Sequence, residues 1–217
     1  MENTNIRNII SSVGGARIVA ATKYVDATAM RELYKTGIND FGENRVNSFL
    51  EKYEMLADLN INWHFIGSLQ TNKVKSMINK ISYLHSLNSV KLASFINKYR
   101  EEPLACFLEV NLTNSVSKTG LNKDEVLNVL KEISVFDKVN VIGLMTMTEP
   151  EQTDEEKLAI FNSLSNLKDE LNLLGYNNIK ELSMGMSDDY LLAIKANATF
   201  VRLGRILFRW GVFDGFI

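Results

Sequence analysis

Several residues that could do chemistry stand where short apolar runs of this 217-residue chain end. Lys23 ends the run at residues 18–23, and an amine beside apolar neighbours more readily takes the unprotonated form that attacks an aldehyde. Arg202 stands near the end of a second run, where Gly204 would let a ligand approach the backbone and Arg205 would add positive charge. The plain alternatives are a solvated lysine at a strand end and arginines in surface salt bridges.

The segment at residues 183–187, Ser-Met-Gly-Met-Ser, has the composition of an anion site. Its small residues precede a predicted helix whose free N–H groups could face a phosphate, and Ser187 could cap that helix or donate to the anion. An ordinary capped helix is the alternative, and Asp188 and Asp189 suit it because carboxylates in the first turn would compete with phosphate. Taken together, the lysine, this segment and the first arginine fit a cofactor that carries an aldehyde, a phosphate and a ring nitrogen.

Four further residues have two interpretations each. Asn44 stands at a predicted helix start, where an N-cap explains it as well as a ligand contact does. Met145 could form the floor of a ring site, although a methionine in a strand is more often part of the core. His64 and His85 are the only histidines, which argues against a histidine-rich metal centre, and we interpret both as hydrogen-bonded packing residues.

Short β-rich runs alternate along the chain with amphipathic segments, a pattern that predicts a parallel sheet covered by crossover helices. The runs are residues 18–23, 39–42, 63–67, 83–87, 105–111, 139–147, 179–184 and 199–203. Eight strands without a GxGxxG turn favour a closed (β/α)8 barrel of the TIM type over an open doubly wound sheet. We therefore expect one domain over residues 1–217, with the polar residues described above gathered at the carboxyl ends of the strands.

Two helices have clear signals of their own. Acidic residues at 154–156 suit the positive end of a helix, apolar residues repeat after them at helical spacing, and Gly175 would end it. An extra leading helix is predicted at residues 2–12, before a Gly-Gly pair.

Composition limits the class of partner. A hydrophobic content of 46% is enough for one sizeable core. Twenty-four Lys and Arg stand against 26 Asp and Glu without a long run of like charge, which argues against a nucleic-acid or membrane surface. The amino terminus lacks signal-peptide features, and the lone Cys106 lies in an apolar run typical of a buried strand. We therefore expect a cytoplasmic protein with a small-molecule or protein partner.

The same residues fall in motifs that resemble one family, the pyridoxal phosphate homeostasis proteins. The resemblance runs nearly from end to end in one order: ATKYV at 21–25, FGENRVN at 41–47, WHFIGSLQTNK at 63–73, HSLNS at 85–89, SKTGL at 117–121, GLMTM at 143–147, LSMGMSDD at 182–189 and VRLG at 201–204. That family is similar to the N-terminal barrel of bacterial alanine racemases. The resemblance therefore implies a (β/α)8 barrel with pyridoxal 5′-phosphate at the strand ends.

The resemblance also implies a role for each candidate residue. Lys23 would hold the cofactor as a Schiff base, and Arg202 would hydrogen-bond the pyridine nitrogen. The phosphate would be held by Ser187 and by the backbone around Gly204 and Arg205. Two further motif positions near the cofactor are Asn44 and Met145.

The match departs from the family pattern directly after VRLG. The family usually has a threonine or serine there, and this chain has Arg205. A hydroxyl contact to the phosphate is lost, and a guanidinium contact would replace it while the backbone donor survives the change.

Two classes of function remain. The resemblance implies a carrier that maintains vitamin B6 homeostasis, with apo forms of pyridoxal-phosphate enzymes as partners and a monomer or weak dimer as its state. The alternative is a pyridoxal-phosphate-dependent amino-acid racemase. Racemases of this fold add a β domain that supplies a catalytic tyrosine, and this chain ends just after its eighth predicted strand, so we expect no catalytic residue. A third hypothesis is a phosphate-binding barrel enzyme that does not use pyridoxal phosphate. It would require the whole set of family motifs to be coincidental.

Overall fold

A computed structural model describes residues 2–113 and 119–208, and these residues form one parallel sheet surrounded by helices. The strands are β1 Arg17–Ala21, β2 Asp40–Glu43, β3 Asn62–Phe65, β4 Tyr83–Leu87, β5 Leu104–Asn111, β6 Leu121–Asn122, β7 Val139–Met145, β8 Glu181–Ser183 and β9 Phe200–Leu203. The helices are α1 Glu2–Ser12, α2 Ala27–Tyr34, α3 Val46–Met55, α4 Val74–Met77, α5 Val90–Tyr99, α6 Val126–Ile133, α7 Asp154–Leu173, α8 Tyr190–Lys195 and α9 Arg205–Phe208. Three short 3-10 turns lie at Thr71–Lys73, Ile78–Lys80 and Lys123–Glu125.

All the strands except β6 close into a barrel. Each strand pairs in parallel with its neighbour in the order β1, β2, β3, β4, β5, β7, β8, β9, and β9 pairs back to β1. The predicted eight-stranded closed barrel and the leading helix are therefore confirmed. Strand β6 pairs outside this ring with the end of β5 and was not predicted, because two residues carry too little alternation to indicate a strand.

The barrel strands are buried on both faces, as parallel strands under crossover helices must be. One face points into the barrel, where Val19, Phe107, Met145 and Phe200 form a cluster. The other face packs against the helices and holds the larger cluster, to which Leu108 belongs. Because both faces are buried, the strands appear in the sequence as nearly continuous apolar runs.

The long helix α7 confirms the signals read from its sequence. Thr153 and Glu156 form a reciprocal capping box at its start. At its end Gly175 adopts φ +97°, and the N–H of Tyr176 donates to the carbonyl of Leu171, which is a Schellman closure. A residue with a Cβ would be strained at this left-handed position, so the glycine ends the helix.

Strand β1 ends earlier than predicted, at Ala21. The chain turns there, since the N–H of Val25 donates to the carbonyl of Thr22 at 3.1 Å. Lys23 consequently lies in the loop that follows the strand and not within it.

Cys106 is a buried strand residue, as expected, and burial raises the pKa of its thiol to about 12. In the part of the chain that the structure describes, no helix has the length and apolar character that a bilayer crossing requires.

Candidate functional site

The predicted site residues meet at one end of the barrel. Lys23 follows β1, Asn44 follows β2, Met145 ends β7 and Arg202 lies in the last half of β9. Because all barrel strands are parallel, these carboxyl ends open on the same mouth. Ser187 and Gly204 lie in the loops after β8 and β9, and Arg205, the first residue of α9, completes the set.

A buried ion pair between Lys52 and Glu43 anchors the loop that carries Lys23. Lys52 of α3 places Nζ 2.5 Å from Glu43 Oε1 and 2.7 Å from the carbonyl oxygen of Thr22. The hydroxyl of Thr22 donates to the same Glu43 oxygen at 2.6 Å. Lys23 itself is exposed, and its Nζ lies 4.6 Å from the centre of the Tyr24 ring. The backbone of residue 22 is therefore held, while the Lys23 side chain beside it is exposed to solvent.

Asn44 does not cap a helix. The N-cap of α3 is Arg45, and the Asn44 side chain leaves its buried Oδ1 without a hydrogen-bond partner among residues 2–113 and 119–208. The backbone of Asn44 packs closely against Gly67, where a Cβ would come within 2.2 Å of the Asn44 carbonyl oxygen. The N-cap interpretation of Asn44 is therefore wrong, and its ligand contact stays a prediction.

The segment at residues 183–187 differs from its prediction in one respect, since Ser187 does not cap the following helix. The N-cap of α8 is Asp189, whose carboxylate accepts from the N–H of Met186 at 2.6 Å and from the Thr148 hydroxyl at 2.5 Å. Asp189 is therefore buried in contacts of its own. Ser187 is left to contact Gly204, whose N–H donates to the serine hydroxyl at 3.2 Å.

Arg205 begins the short helix α9, and its guanidinium pairs with Asp188. Both side chains are more than half exposed, so the pair lies at the rim of the mouth. A guanidinium contact to a phosphate, as the sequence predicts, would have to compete with this carboxylate.

Two glycines at the mouth are there for different reasons. Gly185 has φ +89°, and a Cβ there would lie 2.6 Å from the Ala193 side chain, so the fold itself requires a glycine. A Cβ at Gly204 would meet only ordinary contacts, the nearest being the Ala21 carbonyl oxygen at 3.4 Å. Neither its backbone nor its protein neighbours demand a glycine at position 204, which is consistent with a ligand that approaches the chain there.

Arg202 is a buried cation that points into the mouth. Its Nη1 donates to Ser183 Oγ at 2.6 Å and its Nη2 donates to the carbonyl oxygen of Thr146 at 3.0 Å. Burial lowers the pKa of the guanidinium to about 10, although the charges of Asp189 and Glu109 act in the opposite direction. The group stays cationic near pH 7 and therefore acts only as a hydrogen-bond donor.

The two histidines are fully buried and hydrogen-bonded, as predicted, and they lie inside the barrel. His64 Nδ1 lies 2.9 Å from His85 Nε2. The other ring nitrogen of His64 is hydrogen-bonded to Asp40, and that of His85 is hydrogen-bonded to Ser183. Burial lowers the pKa of His64, and it lowers the pKa of His85 still further with help from the charges of His64 and Arg202. His64 stacks on Tyr83 with ring centres 4.4 Å apart. Within the described residues, no three His, Cys, Asp or Glu side chains gather as a metal site requires.

Glu109 is a candidate that the sequence did not reveal. It lies within a buried stretch of β5, accepts from the Thr119 hydroxyl at 2.7 Å, and leaves Oε2 without a partner in the described ranges. Burial raises its pKa, while the Thr119 hydrogen bond and the charge of Arg202 lower it. A single polar residue within the run at 104–110 was the available signal, because a carboxylate between apolar strand positions is rarely there for packing.

Comparisons with known proteins agree with this arrangement. The family model described as alanine racemase, N-terminal domain, matches residues 3–210. A pyridoxal phosphate homeostasis protein of Aquifex aeolicus is 38% identical over 196 residues, which cover 89% of this chain and 86% of that protein. The protein of the same description from Schizosaccharomyces pombe is 33% identical over 214 residues, covering 95% of this chain and 86% of that protein.

Solved structures give the same result. PipY of Synechococcus elongatus without pyridoxal phosphate superposes with a TM-score of 0.90 at 30% identity, covering 96% of this chain and all of PipY. PipY with pyridoxal phosphate bound has a TM-score of 0.87 at 29% identity over the same share of each chain. Alanine racemase of Corynebacterium glutamicum, at 14% identity and a TM-score of 0.77, shares the fold over 99% of this chain and 62% of that enzyme.

The family model spans nearly the whole chain, and relatives above 30% identity align over most of their own length. This chain therefore belongs to the alanine racemase N-terminal-domain family and, within it, to the pyridoxal phosphate homeostasis proteins.

Proposed function

We propose that this chain binds pyridoxal 5′-phosphate at the barrel mouth and maintains the supply of that cofactor. The observation that carries the proposal is the buried Oδ1 of Asn44, which has no partner in the described part of the chain. A buried acceptor without a partner costs about 1–3 kcal/mol, and a ligand that brings a donor removes that cost. The protonated imine nitrogen of a pyridoxal phosphate Schiff base is a donor of this kind.

Lys23 is the residue that holds the cofactor covalently in this proposal. The aldehyde of pyridoxal phosphate supplies a carbonyl carbon with which a primary amine condenses to a Schiff base. The amine nitrogen of Lys23 forms a double bond to that carbon, and the carbonyl oxygen leaves as water. The exposure of the Lys23 side chain at the mouth supports this role, as does the anchored backbone of Thr22 beside it.

The groups that follow β8 and β9 favour the binding of the cofactor's phosphate. Ser187 and Gly204 contact each other, and the N–H of Arg205 begins α9 next to them. We propose that these backbone and hydroxyl groups hold the phosphate while the Arg205 side chain stays with Asp188. Met145, buried at the end of β7, would lie beneath the ring.

The chemistry of Arg202 fits a carrier, although the family resemblance implies the same arginine in racemases of this fold. A protonated guanidinium donates to a ring nitrogen and so holds that nitrogen unprotonated, which weakens the ring as an electron sink. The descriptions of the relatives support the same choice, since proteins 31–38% identical are described as homeostasis proteins. Their aligned share, 83–90% of each protein, leaves little of them unmatched.

The visible spectrum of the purified protein tests the proposal. Protein incubated with pyridoxal phosphate and freed of excess ligand should be yellow, and borohydride should abolish the band. Peptide mass spectrometry after reduction should place the pyridoxyl group on Lys23. A colourless protein, or a label on another lysine, would contradict the proposal.

Three finer points belong to the same proposal: apo forms of pyridoxal-phosphate enzymes as partners, a monomer or weak dimer, and a cytoplasmic location. Loaded protein mixed with an apo enzyme should restore that enzyme's activity faster than the same concentration of free cofactor. Light scattering across a range of concentrations should give the mass of one chain, rising at most towards two.

A further inference from the structure

A line of hydrogen-bonded side chains crosses the interior of the barrel from one end to the other. His64 Nε2 lies 2.9 Å from Asp40 Oδ1 at the amino end of β2, and His85 Nδ1 lies 2.8 Å from Ser183 Oγ. The members in order, here called the core chain, are Asp40, His64, His85, Ser183 and Arg202. All are buried, and the last reaches the mouth where the cofactor ring is proposed to lie.

The two ends of the core chain determine the direction of every hydrogen bond in it. Arg202 can only donate, and the carboxylate of Asp40 can only accept. His64 must therefore present Nε2–H to Asp40, which leaves its Nδ1 as an acceptor for His85. By the same rule, His85 carries its hydrogen on Nε2 and accepts at Nδ1.

This direction decides what Ser183 can do for Arg202. The serine hydroxyl donates to His85 Nδ1, so its oxygen faces Arg202 purely as an acceptor. If His85 instead carried its hydrogen on Nδ1, the serine hydrogen would have to find another acceptor and could point at the guanidinium. Both histidines must also be neutral for the pattern to hold, and the lowered pKa of each agrees with that state.

At the end of the barrel opposite the mouth, Asp40 lies beside Arg17, whose side chain is partly exposed to solvent. Arg17 Nη1 lies 3.7 Å from Asp40 Oδ1 and donates to the Tyr83 hydroxyl at 2.7 Å. The carboxylate that sets the direction is thus placed by a half-exposed arginine at the end opposite the mouth.

We propose that Asp40, His64 and His85 are positioning residues for the cofactor ring, acting through Ser183 to hold the Arg202 guanidinium in the orientation that donates to the ring nitrogen. This inference rests on the proposed function. It assigns a role in cofactor binding to a carboxylate at the opposite end of the barrel, which does not itself touch the ligand.

The first test needs no cofactor. In the free protein labelled with 15N, long-range proton–nitrogen correlation spectra should show both histidines neutral, each with its hydrogen on Nε2, at pH 7. In Asp40→Leu, His64 loses its acceptor and a second tautomer should appear. A hydrogen on Nδ1 of either ring in the wild-type protein would overturn the proposed direction.

The second test compares pyridoxal phosphate with its 1-deaza analogue, in which carbon replaces the ring nitrogen. Asp40→Leu should weaken the binding of pyridoxal phosphate about tenfold, the effect of one misplaced hydrogen bond, and should leave binding of the analogue within about twofold of its wild-type value. The control is Leu164→Ala, a core variant in α7 that loses packing away from the core chain and should change neither affinity.

His64→Phe provides the same comparison if Asp40→Leu does not fold, because it keeps a ring stacked on Tyr83 and cuts the core chain. Equal loss for both ligands, or no loss for either, would overturn the positioning role while leaving the proposed function intact. A wild-type protein that binds neither ligand would overturn the proposed function and this inference with it.

Discussion

Lys52 Nζ lies 2.5 Å from Glu43 Oε1 in a buried ion pair at the carboxyl end of strand β2, next to the loop that carries Lys23. Both side chains are removed from solvent almost entirely, and Glu43 Oε2 has no further partner among the described residues. The stability of the pair therefore depends on each partner compensating the charge of the other.

We expect Lys52→Met to destabilise the protein by about 3–5 kcal/mol, because it leaves the Glu43 carboxylate buried and uncompensated. It should also weaken cofactor binding, since the Thr22 carbonyl loses one of its two donors and keeps only the N–H of Val25. Urea unfolding and cofactor titration measure the two effects. The control is Lys35→Met, which removes an exposed pair with Glu32 and should cost at most about 0.5 kcal/mol. A similar cost for both variants would contradict the interpretation.

Lys23→Ala should abolish the visible band of the loaded protein and change the free energy of unfolding by less than about 0.5 kcal/mol, because the side chain is exposed. Absorbance spectra and urea unfolding give both values. Lys98→Ala is matched to it, since Lys98 is also exposed and also lies over a neighbouring tyrosine ring. That variant should keep the band. If the band survives in Lys23→Ala, the covalent site is elsewhere.

Substitutions at Gly204 and Arg205 separate backbone from side chain in the proposed phosphate site. Arg205→Thr should retain binding with a modest change, because the backbone donor remains and the guanidinium is paired with Asp188. A charge-assisted contact contributes about 1.5–3 kcal/mol, so a loss beyond about a hundredfold would mean that the side chain contacts the phosphate. Gly204→Val should bind more weakly than Arg205→Thr, and unchanged affinity would remove Gly204 from the site.

The buried histidines predict a loss of stability in mild acid. Because the pKa of each is lower in the folded protein than in the unfolded chain, the unfolded chain binds protons first as the pH falls. Their contribution is therefore complete above about pH 6.5 and falls below it, by at most about 1.4 kcal/mol per pH unit for each histidine, until the pH reaches the pKa of that histidine in the folded protein. Urea unfolding at pH 7 and pH 5.5 measures the difference. His64→Phe/His85→Phe should show a smaller decrease, and an equal decrease would assign the acid sensitivity to other groups.

The loaded protein should racemise, decarboxylate or transaminate no common amino acid at an enzyme-like rate, which is about 1–1,000 turnovers per second. Racemisation needs a positioned acid or base on each face of the cofactor, and Lys23 can serve only one face. Chiral chromatography of alanine, serine, glutamate and lysine should show no turnover above that of free pyridoxal phosphate. Sustained turnover that disappears in Lys23→Ala would make this protein a single-barrel racemase.

The order of strands and helices could be predicted from the sequence because its signals are local. Alternating apolar runs, the acidic first turn of α7 and the glycine after it each depend on residues a few positions apart. Lys23, Arg202 and Gly204 were found in the same way, since each stands at or just after the end of an apolar run. The motif order then identified the family and its cofactor.

Tertiary structure alone decided which polar side chains meet. Ser183 and His85 are 98 positions apart and touch only because β4 and β8 point their side chains into one closed barrel. The pairing of Glu43 with Lys52, and of Arg205 with Asp188, likewise depends on how a helix or loop packs against a strand end. A local pattern states that a residue is polar or apolar, whereas its partner is set by strand register and barrel closure, which involve the whole chain.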